Sequence, residues 1–289
     1  MYAAAKVHTN NGDAAAAFAA YDALLEAHGK KMSTSSKIQI NLNCVRLSLF
    51  HSDLVAAKGF LDKTRKLVEE GGDWDRRNRL RVYEGHYFLL TRNFSGASKV
   101  FLDSVPTFTA VEVCSFEKLV LYAATCGVLM LDRATVKEKL VASPEVIAVS
   151  RETPFLGEFV KSLYECRYAD FFRALVGMQT AWRADRFLAP HVPWLLREMR
   201  VRAYVQFLTS YRSVTLAATA AAFGVSPDYV DAEFSRFIAA GRLNAKIDKV
   251  SGIVETNQPD ARNAQYQKVI KQGDLLLNRV QKLARVVNV

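Results

Sequence analysis

With 289 residues, half of them hydrophobic, the chain is long enough for roughly two domains with buried cores and too apolar to stay unfolded. Gly (14) and Pro (7) are scarce, which favours helices, and no uncharged run reaches the roughly 18 residues that a membrane-spanning helix needs. A formal net charge of +10 points to an acidic partner, either nucleic acid or an acidic protein surface, without deciding between them.

The first residues lead through Asn10-Asn11-Gly12-Asp13 into a polar turn. No apolar signal core follows a basic start, so the chain is expected to be intracellular. Residues 12–110 then read as stacked helical pairs. The strings beginning at His51 and Arg92 superimpose at a spacing of 41, each with Ala (Ala56, Ala97) followed four residues later by Phe-Leu (Phe60-Leu61, Phe101-Leu102). A weaker copy begins at Gly12-Asp13, slips by one residue, and carries Ala16, Ala20 and Tyr21. Small Ala lets paired helices approach, and each pair needs a neighbour to bury its face, the logic of a TPR-like array.

Leu80, Tyr83, Tyr87 and Leu90 form one helical stripe, and the opposite face holds Arg76, Arg77, Arg79 and Arg81. Four arginines in six residues could grip phosphate. No aromatic interleaves them as a stacking platform requires, so a solvated or intersubunit face paired with Asp73, Asp75 and Glu84 is the preferred reading. Residues 111–211 continue as helices, broken at Ser143-Pro144, Thr153-Pro154 and His191-Val192-Pro193, where a residue before proline is pushed out of the helical region. Tyr164, Tyr168, Phe171, Phe172, Leu175 and Trp182 have core spacing.

The stretch 213–257 is the most informative. Leu216, Ala220 and Phe223 repeat at helical spacing until Gly224, which tolerates a left-handed helix end. Ser226 with Pro227 starts a second helix, with Val230, Phe234, Phe237 and Ile238 on one face until Gly241. Leu243, Ala245 and Ile247 then alternate with polar residues, and Ser251-Gly252 turns the chain into Ile253-Val254-Glu255-Thr256. Helix, tight turn, helix and hairpin make a winged helix. A major-groove reader needs basic or amide side chains on its second helix. Here Asp228, Asp231 and Glu233 outnumber Arg236, so a protein-facing winged helix is expected.

Beyond it, Asp260 can cap a helix from about Ala261, in which Val269, Gly273, Leu276, Val280, Leu283 and Val287 follow a 4, 3, 4, 3, 4 spacing. Ile270, Leu277 and Ala284 widen this seam. It is expected to pack with helices of other chains, the alternative being a return onto its own winged helix.

The usual chemical scaffolds are missing from the sequence. It holds no GxxxxGK[ST] loop, GxGxxG turn or GxSxG elbow, and its five histidines include no HxH or HExxH. Cysteines 44, 114, 126 and 166 form no CxxC pair and are expected to be reduced thiols on helices. Glu84 and His86 stand at i and i+2, on different sides of a helix. No catalytic residue, cofactor or metal ligand is expected.

Helical repeats followed by a winged helix are the architecture of the PCI domain, and several strings are specific. Gly71-Gly72-Asp73-Trp74-Asp75-Arg76-Arg77-Asn78-Arg79-Leu80, Phe223-Gly224-Val225-Ser226, the run 247–257 and the strings 263–267 and 273–279 resemble the PCI-domain subunits of the 26S proteasome regulatory particle lid, over almost the whole chain. Strings 263–267 and 273–279 look like the proteasomal branch rather than subunit 1 of the COP9 signalosome, which shares the architecture. The resemblance implies a scaffold subunit in ubiquitin-dependent degradation, in cytoplasm and nucleus. Its implied partners are the other PCI and lid subunits, joined through winged helices and a C-terminal helix bundle, with the ATPase ring as a further one. Family members carry more residues before the first repeat, which implies a shortened N-terminal arm here. The rival is a nucleic-acid-binding PCI protein, carried by the charge and the arginine cluster; neither nucleic acid nor a membrane is the expected partner.

The expected fold is thus mainly α: TPR-like repeats over 1–110, a helical PCI part over 111–211, a winged helix over 212–258 and a bundle helix over 261–289. The residues expected to meet partners are Lys246, Lys249 and Ile253 on the wing and Val269, Leu276, Val280, Leu283 and Val287 on the final helix.

Overall fold

The computed structural model describes residues 2–29, 31–256 and 261–287, the side chains of 261–264 excepted. It is mainly α, as expected, and divides into two units, residues 1–200 and 201–289.

The first unit begins with α1 (Tyr2–Asn11), α2 (Ala14–His28), α3 (Thr34–Phe50), α4 (Leu54–Gly71), α5 (Trp74–Leu90) and α6 (Phe94–Ser104). Three of the connections are the same turn, repeated 40 residues apart. Gly12, Ser52 and Arg92 each adopt a left-handed backbone, with φ of 76°, 60° and 60°. The following residue donates its N–H six residues' span back, Asp13 to His8, Asp53 to Ser48 and Asn93 to Phe88, at 3.1, 2.9 and 2.8 Å. This closes the preceding helix in a Schellman motif. The same residue opens the next helix, since the side chains of Asp13, Asp53 and Asn93 accept from Ala16, Ala56 and Gly96 N–H.

The structural period is therefore 40, and the spacing of 41 is corrected. In the true register Ala17, Ala57 and Ala97 are all fully buried, and Tyr21, Leu61 and Phe101 fill the next turn. The first copy does not slip. Matching the Phe-Leu pairs aligned similar letters on different helix faces. A fourth example of the turn, Cys166 at φ 61° with Arg167 N–H bound to Ser162, joins α10 to α11 below.

The predicted stripe on α5 is core: Leu80 and Tyr83 are buried, and Tyr87 and Leu90 pack against the cluster of Ile38, Leu42, Val45 and Leu61. The unit continues with α7 (Phe116–Met130), α8 (Arg133–Val136), a π-helical turn, α9 (Pro144–Ser150), α10 (Leu156–Tyr164) and α11 (Tyr168–Ala184), and α12 (Val192–Leu208) spans the division at residue 200. Every residue of α7 from Leu119 to Leu129 is buried, which makes it a central helix. Tyr168, Phe171, Leu175 and Trp182 are core as read, and Trp182 Nε1 donates to Thr125 Oγ1 at 3.0 Å. Cys44 and Cys126 lie on helices, whereas Cys114 lies in the loop before α7 and Cys166 in a turn, a correction to the expectation for all four.

The second unit holds β1 (Ser213–Thr215), α13 (Leu216–Phe223), α14 (Pro227–Ala239), β2 (Ala245–Asp248), β3 (Ile253–Thr256) and α15 (Ala261–Val287). Gly224, at φ 67°, ends α13 and Ser226 caps α14 by accepting from Tyr229 N–H. The three strands run antiparallel in the order β1-β3-β2, with Val214, Val254 and Ile247 in register. Tyr204 is the centre of the core, its ring 4.7 Å from that of Phe223 and 4.8 Å from that of Phe234. Three residues of strand at 213–215 escaped the sequence reading because their partner, β3, lies some 40 residues on.

Candidate protein-interaction surfaces

The winged helix turns acids inward as well as outward. Glu233 is buried and accepts from Tyr204 Oη at 3.0 Å, so of the three acids on α14 one belongs to the core. Asp231 instead binds Lys249 Nζ across to the wing at 3.1 Å. Lys249 therefore has an internal partner, while Lys246 is exposed on β2, opposite Glu255 of β3. Ile253 is half-buried on the sheet face that also carries Lys246 and Glu255, away from the buried Val254. β2 is an edge strand. Between the strands, Asp248 accepts from the Ser251 hydroxyl and from Val250 and Ser251 N–H, and these bonds, the hydroxyl's first, hold its carboxyl below the usual range. Val250 at the tip is fully exposed. An apolar tip residue is a contact candidate that the alternation pattern passed over, since it falls in the turn.

The helix α15 carries the seam. Val269, Leu276, Val280, Leu283 and Val287 are each more than half exposed, as are Ile270 and Leu277 beside them. Every described side chain from 265 to 287 is exposed, so the structure does not fold this helix back onto the winged helix. At about 1.5 Å per residue the 27 residues span about 40 Å. The other faces are cationic, with Lys268, Lys271, Arg279, Lys282 and Arg285 against Asp274 alone. Asp260, the expected cap, lies outside the described residues.

The arginine cluster is partly internal. Arg76 Nη1 donates to Gln39 Oε1 at 2.6 Å, and Arg79 reaches Glu112 through Nε and Nη2 at 2.9 and 2.5 Å. Glu84 takes Arg65 at 2.5 Å rather than an arginine of the cluster, and Asp75 stands 3.9 Å from Arg79, so the expected pairing holds only for Asp75. Arg77 and Arg81 are exposed on the stripe of Trp74, itself 62 % exposed. Sequence reading missed these partners because Gln39 lies on α3 and Glu112 in the turn before α7, 33 to 40 residues away.

Burial keeps one histidine and two of the cysteines neutral. His86 is enclosed by the rings of Phe101, Tyr122 and Phe187, with Nδ1 2.8 Å from Val82 C=O, and burial pulls it down to about 4. Burial pushes the Cys44 and Cys114 thiols up to about 12. Such thiols are poor nucleophiles. No group of three or more His, Cys, Asp or Glu placed to hold a metal ion occurs among the described residues.

Three family descriptions match the chain in order: 26S proteasome subunit RPN7 over residues 1–139, PCI domain over 169–258, and 26S proteasome regulatory subunit RPN7/PSMD6 C-terminal helix over 265–287. Among curated relatives, the 26S proteasome non-ATPase regulatory subunit 6 homolog of Arabidopsis thaliana is 49% identical over 269 residues, 93% of this chain and 70% of the relative. The Dictyostelium discoideum subunit 6 is 45% identical over 260 residues, 90% of this chain and 68% of the relative. The 26S proteasome regulatory subunit RPN7 of Saccharomyces cerevisiae is 39% identical over 262 residues, 89% and 61%.

Proposed function

Since this chain belongs to the RPN7 family of 26S proteasome regulatory subunits, we propose that it is a non-catalytic scaffold subunit of the regulatory particle lid, serving ubiquitin-dependent protein degradation in cytoplasm and nucleus. Its partners are the other PCI and lid subunits, with the ATPase ring as a further neighbour. The repeats of 1–110 and the helices of 111–211 stiffen an arm. The winged helix of 212–258 meets an adjacent PCI subunit along its hairpin, through Lys246, Lys249 and Ile253. Residues 261–289 lock the assembly through Val269, Leu276, Val280, Leu283 and Val287.

The observation that carries this reading is the exposed seam of α15. An isolated helix is marginal in water, and most helical stability comes from packing an apolar face. Here a face of large aliphatic residues stands uncovered along about 40 Å, and helices of other chains are the surfaces that match it. Its cationic flanks call for acidic partner helices.

Leu276→Asp with Leu283→Asp tests this. Both side chains are exposed in the free chain, so the double variant should melt as the parent does while recovery of the lid with the tagged chain falls at least tenfold. Undiminished recovery of the lid would remove the seam from the assembly.

A further inference from the structure

A cleft of about 270 Å³ lies in the first unit, far in sequence from the wing and α15, where the end of α3, the start of α7 and the turn after α11 meet. Its two acids are already engaged. Asp185 accepts from Tyr122 Oη at 2.7 Å and from Phe187 and Leu188 N–H at 2.9 and 3.1 Å, with Lys118 Nζ 3.7 Å away. Glu112 is held by Arg79. Two guanidiniums have no such counter-charge among the described residues. Arg186 is fixed at the rim, its Cζ 4.3 Å over the Phe50 ring and its Nη2 donating to Phe50 C=O. Arg46, one helical turn before Phe50, is half-buried and has no hydrogen-bond or ion-pair partner among the described residues.

A half-buried guanidinium without a counter-charge is costly to keep, and an arginine fork matches a planar carboxylate. The fixed charges of Asp185 and Glu112 oppose a second negative charge on the ligand. Leu49 and Val113 give the cleft apolar walls that suit a short aliphatic stem. Its volume lies below the about 300–1,000 Å³ of small-molecule sites, so it fits one side chain rather than a cofactor. We propose that this cleft receives the carboxylate of an acidic side chain presented by another polypeptide, held by Arg46 and Arg186 with Lys118 at the mouth.

The test uses the full chain at fixed ionic strength and follows the arginine Nε–H resonances by NMR. The probes are butyrate as the glutamate side chain, butyramide as its neutral isostere, inorganic phosphate, and the capped peptide acetyl-Gly-Glu-Gly-amide. Butyrate and the peptide should shift the Arg46 and Arg186 signals saturably in the millimolar range, with butyramide and phosphate at least tenfold weaker. Arg46→Gln, whose backbone spectrum reports an intact fold, should abolish the response. Equal responses to butyrate and butyramide, phosphate binding as tight as butyrate, binding retained in Arg46→Gln, or a response to butyrate with none to the peptide would each overturn the proposal. No residue of the wing or of α15 takes part, so failure here leaves the lid reading standing.

Discussion

His86 illustrates how much a residue's neighbours decide. From the sequence it stands near a carboxylate at i−2, the closest approach to an acid–base pair in the chain. In the fold Glu84 faces Arg65, while His86 is sealed among three aromatic rings with Nε2 lacking a hydrogen-bond partner. Its folded pKa of about 4 lies below the unfolded value near 6.5, so between these values the unfolded chain binds more protons. The resulting destabilisation is absent above about pH 6.5 and grows as pH falls towards 4, reaching about 2–3 kcal/mol at pH 4.5. His86→Phe keeps an aromatic ring and removes the proton site. Thermal melts at pH 7 and pH 4.5 should show a smaller acid-induced drop in Tm for the variant, and an unchanged drop would place the burden on other groups. Helical spacing predicted that Glu84 and His86 diverge, but the aromatic cage was not legible, because Tyr122 comes from α7 and Phe187 from the turn after α11, both distant in sequence.

At the scale of elements, the sequence carried the helices, the caps of α13 and α14 and the wing, since each is signalled locally by Gly224, Ser226-Pro227 and Ser251-Gly252. The repeat was legible as a repeat but not in register. Its marker is a left-handed residue before a capping Asp or Asn, and only the first of the three copies uses glycine there. A non-glycine residue in that conformation costs roughly 1–2 kcal/mol. Ser52, whose side chain has no hydrogen-bond partner among the described residues, is the place to measure it. Ser52→Gly should stabilise the first unit by about 0.5–1 kcal/mol in denaturant melts, after the added freedom of the unfolded chain is subtracted. A loss of stability would mean that the turn is not strained at this position.

For the whole molecule, the net charge of +10 finds a partial address in the structure. The final helix is strongly basic on its polar faces, two arginines of the cluster serve the repeats internally, and two more frame the cleft. Charge counting could say that an acidic partner was wanted, but the division between internal and outward cations depends on helices brought together by the fold. No described helix is long and apolar enough to cross a membrane. The seam of α15 was the most legible feature because its heptad spacing lies in one uninterrupted segment. Covering its five large aliphatic residues at about 1.5–3 kcal/mol each amounts to on the order of 10 kcal/mol as an upper bound.

The most direct measurement is recovery of the lid by a tagged chain lacking residues 261–289, compared with the full chain. The predicted result is a truncated chain that melts like the parent and retains no lid subunits. Recovery of the complete lid in unchanged yield would contradict the assignment of this helix as the element that holds the assembly together.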